Sequence, residues 1–541
     1  MNRAIVCLVT IAASLCMVCA PQAEACTSIL VTKGASKTGA VIITYSCDGA
    51  FVPGLSLIPA ADYKPGATMT IRTRGGVETA IPQVSHTYQV VGLMNDQQLS
   101  MGETTFDGRF ELVNKQGLFH YFQLMRTTLQ RARTARGAVE VMAALVDEWG
   151  YASSGESISI ADKEEAWIFE IVGPGPGGKG AIWVAVRVPD GMISAHANMA
   201  RIREFPLNDP ENCIYSENVI SFAVEHGYYD PESGKPFSFA DAYCPSTEEQ
   251  VRYSARRVWS IFRRVAPSQN FSPDYSSYVP GAEPYPLCIK PDNKLDVRDV
   301  IALHRDHYEG TEFDMTKNLS SGPYGAPDRC RPLKWEIDGK TYAWERPIAT
   351  QQAAFVYVTE SRMTVPDEIG GIVWLGMDNP YTCFFTPLYT SITELPASYS
   401  IRSAEFSRDS AWWCFNFVAT FAQLRWSHMI VDIQNVQAEI EDMAFSLQPA
   451  IESTATELLK VDPELAALYL TRYSVDTAES NIAKWWKLSE FLITKYNDGY
   501  ILGDDGRRHE TGYSKEWLRR EILLHPECFR LKGERKGEGE L

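Results

Sequence analysis

Alternation of apolar and polar positions marks the first part of the chain as extended. Ile158 and Ile160 alternate with serine, and Trp167, Phe169 and Ile171 repeat the pattern. Ile182, Val184, Val186 and Val188 repeat it again after a Gly/Pro turn over 173–180. A period of two places these side chains on one face of successive antiparallel strands. Pro189-Asp190-Gly191 turns the chain into a strand over 192–196, and residues 354–358 and 372–375 supply two more strand-like runs. Near the start, 26–32 reads as a buried strand, 33–39 as a turn and 40–45 as the returning strand of a hairpin.

Helical spacing takes over elsewhere. Residues 117–149 and 214–226 predict helices, and Ile433, Val436, Ile440, Met443 and Leu447 recur at intervals of three and four. Two heptads are too short for a coiled coil, so this stripe predicts a helix packed on the core. Asp462 and Pro463 supply an N-cap and a first-turn proline for another helix. Asp476 with Glu479 predicts the start of a third, ended by Gly499. The region of about 430–530 is thus mostly helical, and the fold class is α+β: antiparallel sheet covered by helices.

Composition changes this picture little. Of 541 residues, 45% are apolar and 22% charged, as in a folded globular protein. Lys plus Arg number 51 against 68 Asp plus Glu, a net charge of −17, which disfavours nucleic acid and anionic membrane surfaces as partners. No repeat, low-complexity linker or charge block marks a boundary, so residues 26–541 read as a single domain. The sequence leaves the oligomeric state open, a homo-oligomer included.

Residues 1–25 have the layout of a secretory signal: Arg3, an apolar run from Ala4 to Ala20, then Pro21 and the small-residue pattern Ala23-Glu24-Ala25. The run is short for a membrane anchor, which needs about 20 apolar residues. The expectation is export to the periplasm or the extracellular space, with Cys26 as the first mature residue. A lipoprotein signal would place Leu and a small residue where Ala23 and Glu24 stand, which disfavours acylation of Cys26. Eight further cysteines remain, Cys47, Cys213, Cys244, Cys288, Cys330, Cys383, Cys414 and Cys528, an even number compatible with disulfides in an oxidising compartment. Their wide spacing and the lack of C-x-x-C argue against structural zinc.

A cysteine at a mature N-terminus carries a nucleophile and a base on one residue. The α-amine has a reference pKa of about 7.7–8.0, so it exists as free base near neutral pH and takes the thiol proton directly or through water. Amide hydrolysis needs those two functions together with donors for the developing oxyanion.

The opening Cys26-Thr27-Ser28-Ile29-Leu30-Val31-Thr32-Lys33-Gly34-Ala35-Ser36 resembles that of the cysteine dipeptidases related to dipeptidase A, which belong to the N-terminal nucleophile hydrolases. Gly92-Leu93-Met94-Asn95, Gly102-Glu103-Thr104-Thr105 and His196-Ala197-Asn198-Met199-Ala200-Arg201-Ile202 extend the likeness. So do Arg305-Asp306-His307-Tyr308-Glu309-Gly310-Thr311 and Trp344-Glu345-Arg346-Pro347. The resemblance implies a four-layer αββα sandwich with the nucleophile at the start of the first strand, a thiol protease mechanism, dipeptide substrates and neither metal nor organic cofactor.

Site roles follow from the same likeness. Cys26 becomes nucleophile and α-amine base. Asp48 matches an aspartate of the more distant penicillin V acylases and bile salt hydrolases and is expected to bond the nucleophile or its amine. Their arginine is replaced here by Tyr45, which shifts activation onto the amine. Asn198 is expected to donate to the oxyanion, with Asn95 as a second candidate. Each also reads as a turn residue. Arg201 reads either as a ligand for a substrate carboxylate or as a salt-bridge partner. His304 and His307 have metal-like spacing but read as solvated helix residues. Two rival functions stand beside the dipeptidase: an amide-cleaving acylase of the same fold, and a secreted or lipid-anchored binding protein using Cys26 for acylation.

Overall fold

The computed structural model describes residues 26–73 and 75–531, so the expected signal segment lies outside the described residues. Two antiparallel sheets form its centre. The first runs, in spatial order, Cys288–Ile289, Ile193–His196, Ser28–Val31, Val41–Asp48, Ala353–Ser361, Ile372–Met377 and Thr386–Tyr389. The opening hairpin is the expected one, with Leu30 opposite Ile43 and Val31 opposite Ile42. The second sheet holds the meander Ser100–Asp107, Gly155–Ala161, Ala166–Val172 and Ile182–Arg187, extended at its two ends by Cys213–Tyr215 and by the short strands Met94–Asn95, Val90–Val91 and Leu57–Ile58.

The two sheets stack through Val41–Asp48, which packs on Ser100–Asp107 and Gly155–Ala161. Register decides which half of each alternation faces inward. Gly102 lies opposite Ser159 and beneath Tyr45 of the other sheet, so Ser157 and Ser159 face the first sheet while Ile158 and Ile160 face away. Ile158, Ile160, Trp167 and Phe169 therefore turn toward the layer of helices Tyr121–Arg131 and Ala135–Trp149, where Arg136 lies 5.9 Å from the Trp167 ring. Between the sheets, Leu30 and Ile43 meet Ile168 and Val184. Beside them runs a buried polar stratum in which Ser159 Oγ lies 2.7 Å from His196 Nε2 and Ser157 donates to Glu170 Oε1 at 2.9 Å.

C-terminal helices cover the outer face of the first sheet, with Trp374 stacked on Phe445 at 4.1 Å. Trp426–Val461 buries Ile433 and Ile440, but Met443 and Leu447 point to solvent, so only the first part of the predicted stripe packs. Asp462 caps Pro463–Tyr496 by accepting from Glu464 N at 2.9 Å, as expected.

Several expectations need correction. The third helix predicted at Asp476 is the middle of Pro463–Tyr496, because Asp476 is flanked by uninterrupted helical residues and caps nothing. The predicted helix over 117–149 divides where Thr134 accepts from Gly137 N and starts a new one. Residues 214–226 split into a strand, Cys213–Tyr215, that completes the second sheet and a short helix, Ser221–Glu225. His304 and His307 are fully buried rather than solvated: His304 Nε2 lies 2.9 Å from Thr44 Oγ1, and His307 Nδ1 lies 3.1 Å from Glu309 Oε1. The nine described cysteines are free thiols, so the disulfides that their even number allowed are not formed among them. None of the described helices is long and apolar enough to cross a membrane.

A Cβ on Gly102 would sit 2.8 Å from Tyr45 Cβ and 3.0 Å from the Thr44 carbonyl oxygen, so the sheets approach too closely for any side chain there. Gly102→Ala should lower unfolding free energy by about 1–3 kcal/mol through overpacking. Urea denaturation checks this, and an unchanged midpoint would contradict the close stacking.

Candidate active site

Cys26 enters the first sheet just ahead of its first strand. Thr27 and Ser46 exchange backbone hydrogen bonds at 3.2 and 2.9 Å, which sets Cys26 directly across from Cys47 in the adjoining non-hydrogen-bonded pair. Both thiols are buried and hydrogen-bonded to each other. Cys26 Sγ also donates to Glu103 Oε1 at 3.6 Å, and the Tyr45 hydroxyl donates to the same oxygen. Burial, reinforced by Cys47 and by the carboxylates of Glu103 and Asp48, pushes the Cys26 thiol well above its ordinary value. The resting side chain is a neutral thiol.

The nitrogen of Cys26 is held as closely as its sulfur. It donates to Asn198 Oδ1 at 3.1 Å, while Asn198 Nδ2 donates to the Thr105 carbonyl at 2.7 Å. Asn198 thus presents oxygen to Cys26, an anchor for its nitrogen, where the sequence suggested an amide donor for the oxyanion. Arg257 completes the grip: Nη1 donates to the Cys26 carbonyl at 2.5 Å and to Thr27 Oγ1 at 2.8 Å, and Nη2 donates to Asn198 Oδ1 at 2.7 Å. Arg346 Nη1 donates to that same oxygen at 3.4 Å and Nη2 pairs with Asp48. Asp48 therefore does reach the Cys26 cluster, through Arg346.

Electrostatics follow from burying these charges. Burial lowers Arg257 to about 9, aided by its neighbour Arg346. Burial raises Asp48 to about 6 against the opposing pull of Arg346 and Arg257. Glu156 is pushed up by burial and by the Glu103 carboxylate it touches.

Other expected site residues lie elsewhere. Asn95 donates to the Leu129 and Ala132 carbonyls at 2.8 and 2.9 Å and accepts from Leu99 N at 2.9 Å, so it ties a turn to the end of helix Tyr121–Arg131. Arg201 is buried against Phe262; its backbone N–H donates to Glu170 Oε1 at 2.6 Å and its guanidinium to the Pro286 carbonyl. His196 has both ring nitrogens engaged, by Thr104 and Ser159, and burial holds it near 3, so it is a neutral structural residue. Among the described residues no three His, Cys, Asp or Glu side chains converge to hold a metal.

Sequence reasoning passed over Glu103, Arg257 and Arg346. Glu103 and Arg346 stand inside stretches already noted for their likeness to relatives. Arg257 had a subtler signal, a charge amid Val258, Trp259, Ile261 and Phe262.

A cavity of roughly 340 Å³ opens beside the cluster, within the range of small-ligand sites. Tyr45 and Cys47 form its near wall, and Phe51, Phe122, Phe355 and Tyr357 make much of the rest.

The chain is 25% identical over 386 residues to a probable dipeptidase of Salmonella dublin, covering 68% of this chain and 81% of the relative. It is 24% identical over 421 residues to a probable dipeptidase of Latilactobacillus sakei, covering 74% and 82%. Against probable dipeptidase A of Streptococcus pyogenes serotype M3 (strain SSI-1) it is 23% identical over 450 residues, covering 79% and 90%. The protein is a peptide-bond hydrolase. The family model of peptidase family C69 matches residues 55–439, and the chain belongs to that family. Cys26 and Asp48 precede the matched range.

Arg257→Lys should reduce kcat by about 10²-fold, the scale of losing one preorganised donor, because an ammonium cannot reach Cys26, Thr27 and Asn198 together. Steady-state kinetics with circular dichroism as a folding control check this. A near-normal kcat would remove Arg257 from the site.

Proposed function

We propose that this hydrolase is a dipeptidase of the N-terminal nucleophile type, that its two stacked sheets and helical layers form the αββα sandwich of that class, and that removal of residues 1–25 on export frees Cys26. The observation that carries the reading is the position of the Cys26 nitrogen. It lies beside its own thiol and 3.1 Å from Asn198 Oδ1, anchored where an α-amine would have to sit to act as base.

In this mechanism the free amine accepts the thiol proton, and the thiolate attacks the carbonyl carbon of the scissile peptide. Collapse of the tetrahedral adduct breaks the C–N bond, and the ammonium returns its proton to the leaving amine. The amine then takes a proton from water, whose hydroxide attacks the thioester and releases the second product along with the thiol. Arg257 supplies fixed positive charge beside Cys26, a role for which Tyr45 has no counterpart. Asp48 holds Arg346 on Asn198 and so fixes the anchor of the amine.

Protein beginning at Cys26 should hydrolyse dipeptides, and Cys26→Ala should be inactive. One uncleavable residue placed before Cys26 should be nearly as damaging, since an amide nitrogen has no basic lone pair. Dipeptide turnover by these three forms, each with its N-terminus confirmed by mass, is the test. Full activity of the extended form would rule out the amine as base.

The pH profile provides a second check. Below the amine pKa of about 7.7–8.0, log kcat/KM should fall with decreasing pH at a slope near one as the base becomes protonated. Below about 6, protonation of Asp48 breaks its pair with Arg346 and the slope should steepen toward two. Asp48→Asn should abolish the second bend. A bend that persists in that variant would assign it to another group.

A further inference from the structure

The cavity beside Cys47 carries charge of one sign. Among its described lining residues there is no acid, yet two guanidinium groups, Arg126 and Arg402, share its wall. Arg126 projects from helix Tyr121–Arg131 and forms no hydrogen bond or ion pair with any described residue. Arg402 donates to the Gly54 carbonyl at 2.9 Å and forms no ion pair with a described acid. Gly54 is what admits it, since a Cβ there would lie 2.5 Å from Arg402 Cγ and Nε. Burial lowers Arg126 and the nearby Arg402 adds to that shift, while Arg402 opposes the burial that raises Tyr357, so the two cations and that ring lie close together.

Two like charges facing one cavity repel each other, and a chain with 68 acidic residues has ample means to neutralise them. Two exposed guanidinium groups that face an aromatic trough without an acid have the form of an anion site completed by ligand. Geometry links it to the nucleophile. Cys26, Cys47 and Phe355 lie across successive strands, with Tyr357 two residues beyond Phe355 on the same face. Tyr357 is therefore roughly 12 Å from Cys26, two strands across and two residues along, and an arginine side chain spans about half of that gap.

We propose that Arg126 and Arg402 bind the C-terminal α-carboxylate of the substrate, whose leaving residue lays an apolar or aromatic side chain along Phe51, Phe122 and Phe355. This deepens the dipeptidase reading and rests on it. The arginine pair makes the enzyme select peptides that end within the cavity, and the aromatic walls set its preference for the residue released.

The test compares alanyl-phenylalanine with its C-terminal amide, using mature wild-type protein, Arg126→Gln, Arg402→Gln, the double variant and Arg126→Lys. Wild type should prefer the free acid. Each glutamine variant should raise KM for the acid by about 10- to 100-fold, the range for loss of a charged hydrogen bond, with kcat largely kept, and the double variant should lose the acid-over-amide preference. Arg126→Lys should recover part of it. Binding of the acid and the amide to Cys26→Ala, measured by calorimetry with and without the two glutamine substitutions, reads the same site without turnover. An acid-over-amide ratio unchanged in the double variant overturns the proposal while leaving the dipeptidase reading intact. Weakened acid binding in a protein that hydrolyses no dipeptide supports the carboxylate site and overturns that reading. A third substrate, alanyl-glutamic acid α-amide, carries its only carboxylate on the side chain. If its turnover, rather than that of alanyl-phenylalanine, depends on the two arginines, the α-carboxylate assignment is wrong.

Discussion

Burying Arg257 is the constraint around which the site is arranged. A guanidinium out of water must have its donors satisfied, and this one spends them on the Cys26 carbonyl, the Thr27 hydroxyl, the Asn198 side chain and, through Nε, the Tyr253 carbonyl. Three of these bonds also fix atoms at Cys26 and its immediate partners. Asn198 is then committed to presenting oxygen, because two guanidinium groups and the Cys26 nitrogen all donate to it. Asp48 offsets the second arginine, and the cluster closes on itself.

A second electrostatic group lies on the other side of Cys26. Glu103 receives both the thiol and the Tyr45 hydroxyl, and it touches buried Glu156. Acidic groups here and basic groups at Arg257 leave Cys26 between opposing fields. The carboxylates favour the thiol at rest, while Arg257 favours the thiolate when it forms. Burial and these carboxylates together hold Cys26 as a neutral thiol at rest.

The cavity continues this logic along the sheet. Tyr45, Cys47, Phe355 and Tyr357 project from neighbouring strands on one face, so the surface that holds Cys26 also forms the trough beside it. Gly92, with a φ of 58° and a Tyr357 carbon 2.6 Å from where its Cβ would be, keeps the opposite rim thin enough for that tyrosine to fit.

Local patterns were legible without the fold. The period-two runs located the meander strands, Asp462 and Pro463 marked the start of a long helix, and Cys26 stood out as a candidate nucleophile because of the residues preceding it. Each rests on neighbours within a few positions, which is the range over which propensity, capping and alternation act. What alternation cannot say is which face meets what. Only the register of Gly102 against Tyr45 put Ser157 and Ser159 between the sheets and sent Ile158 and Ile160 toward the helices. Arg257, Arg346 and Asn198 are separated from Cys26 by 231, 320 and 172 positions, and a sequence without its fold has no term that joins them. Their meeting is decided by strand pairing and helix packing over the whole chain, because the charges there are stable in the interior only in one another's company.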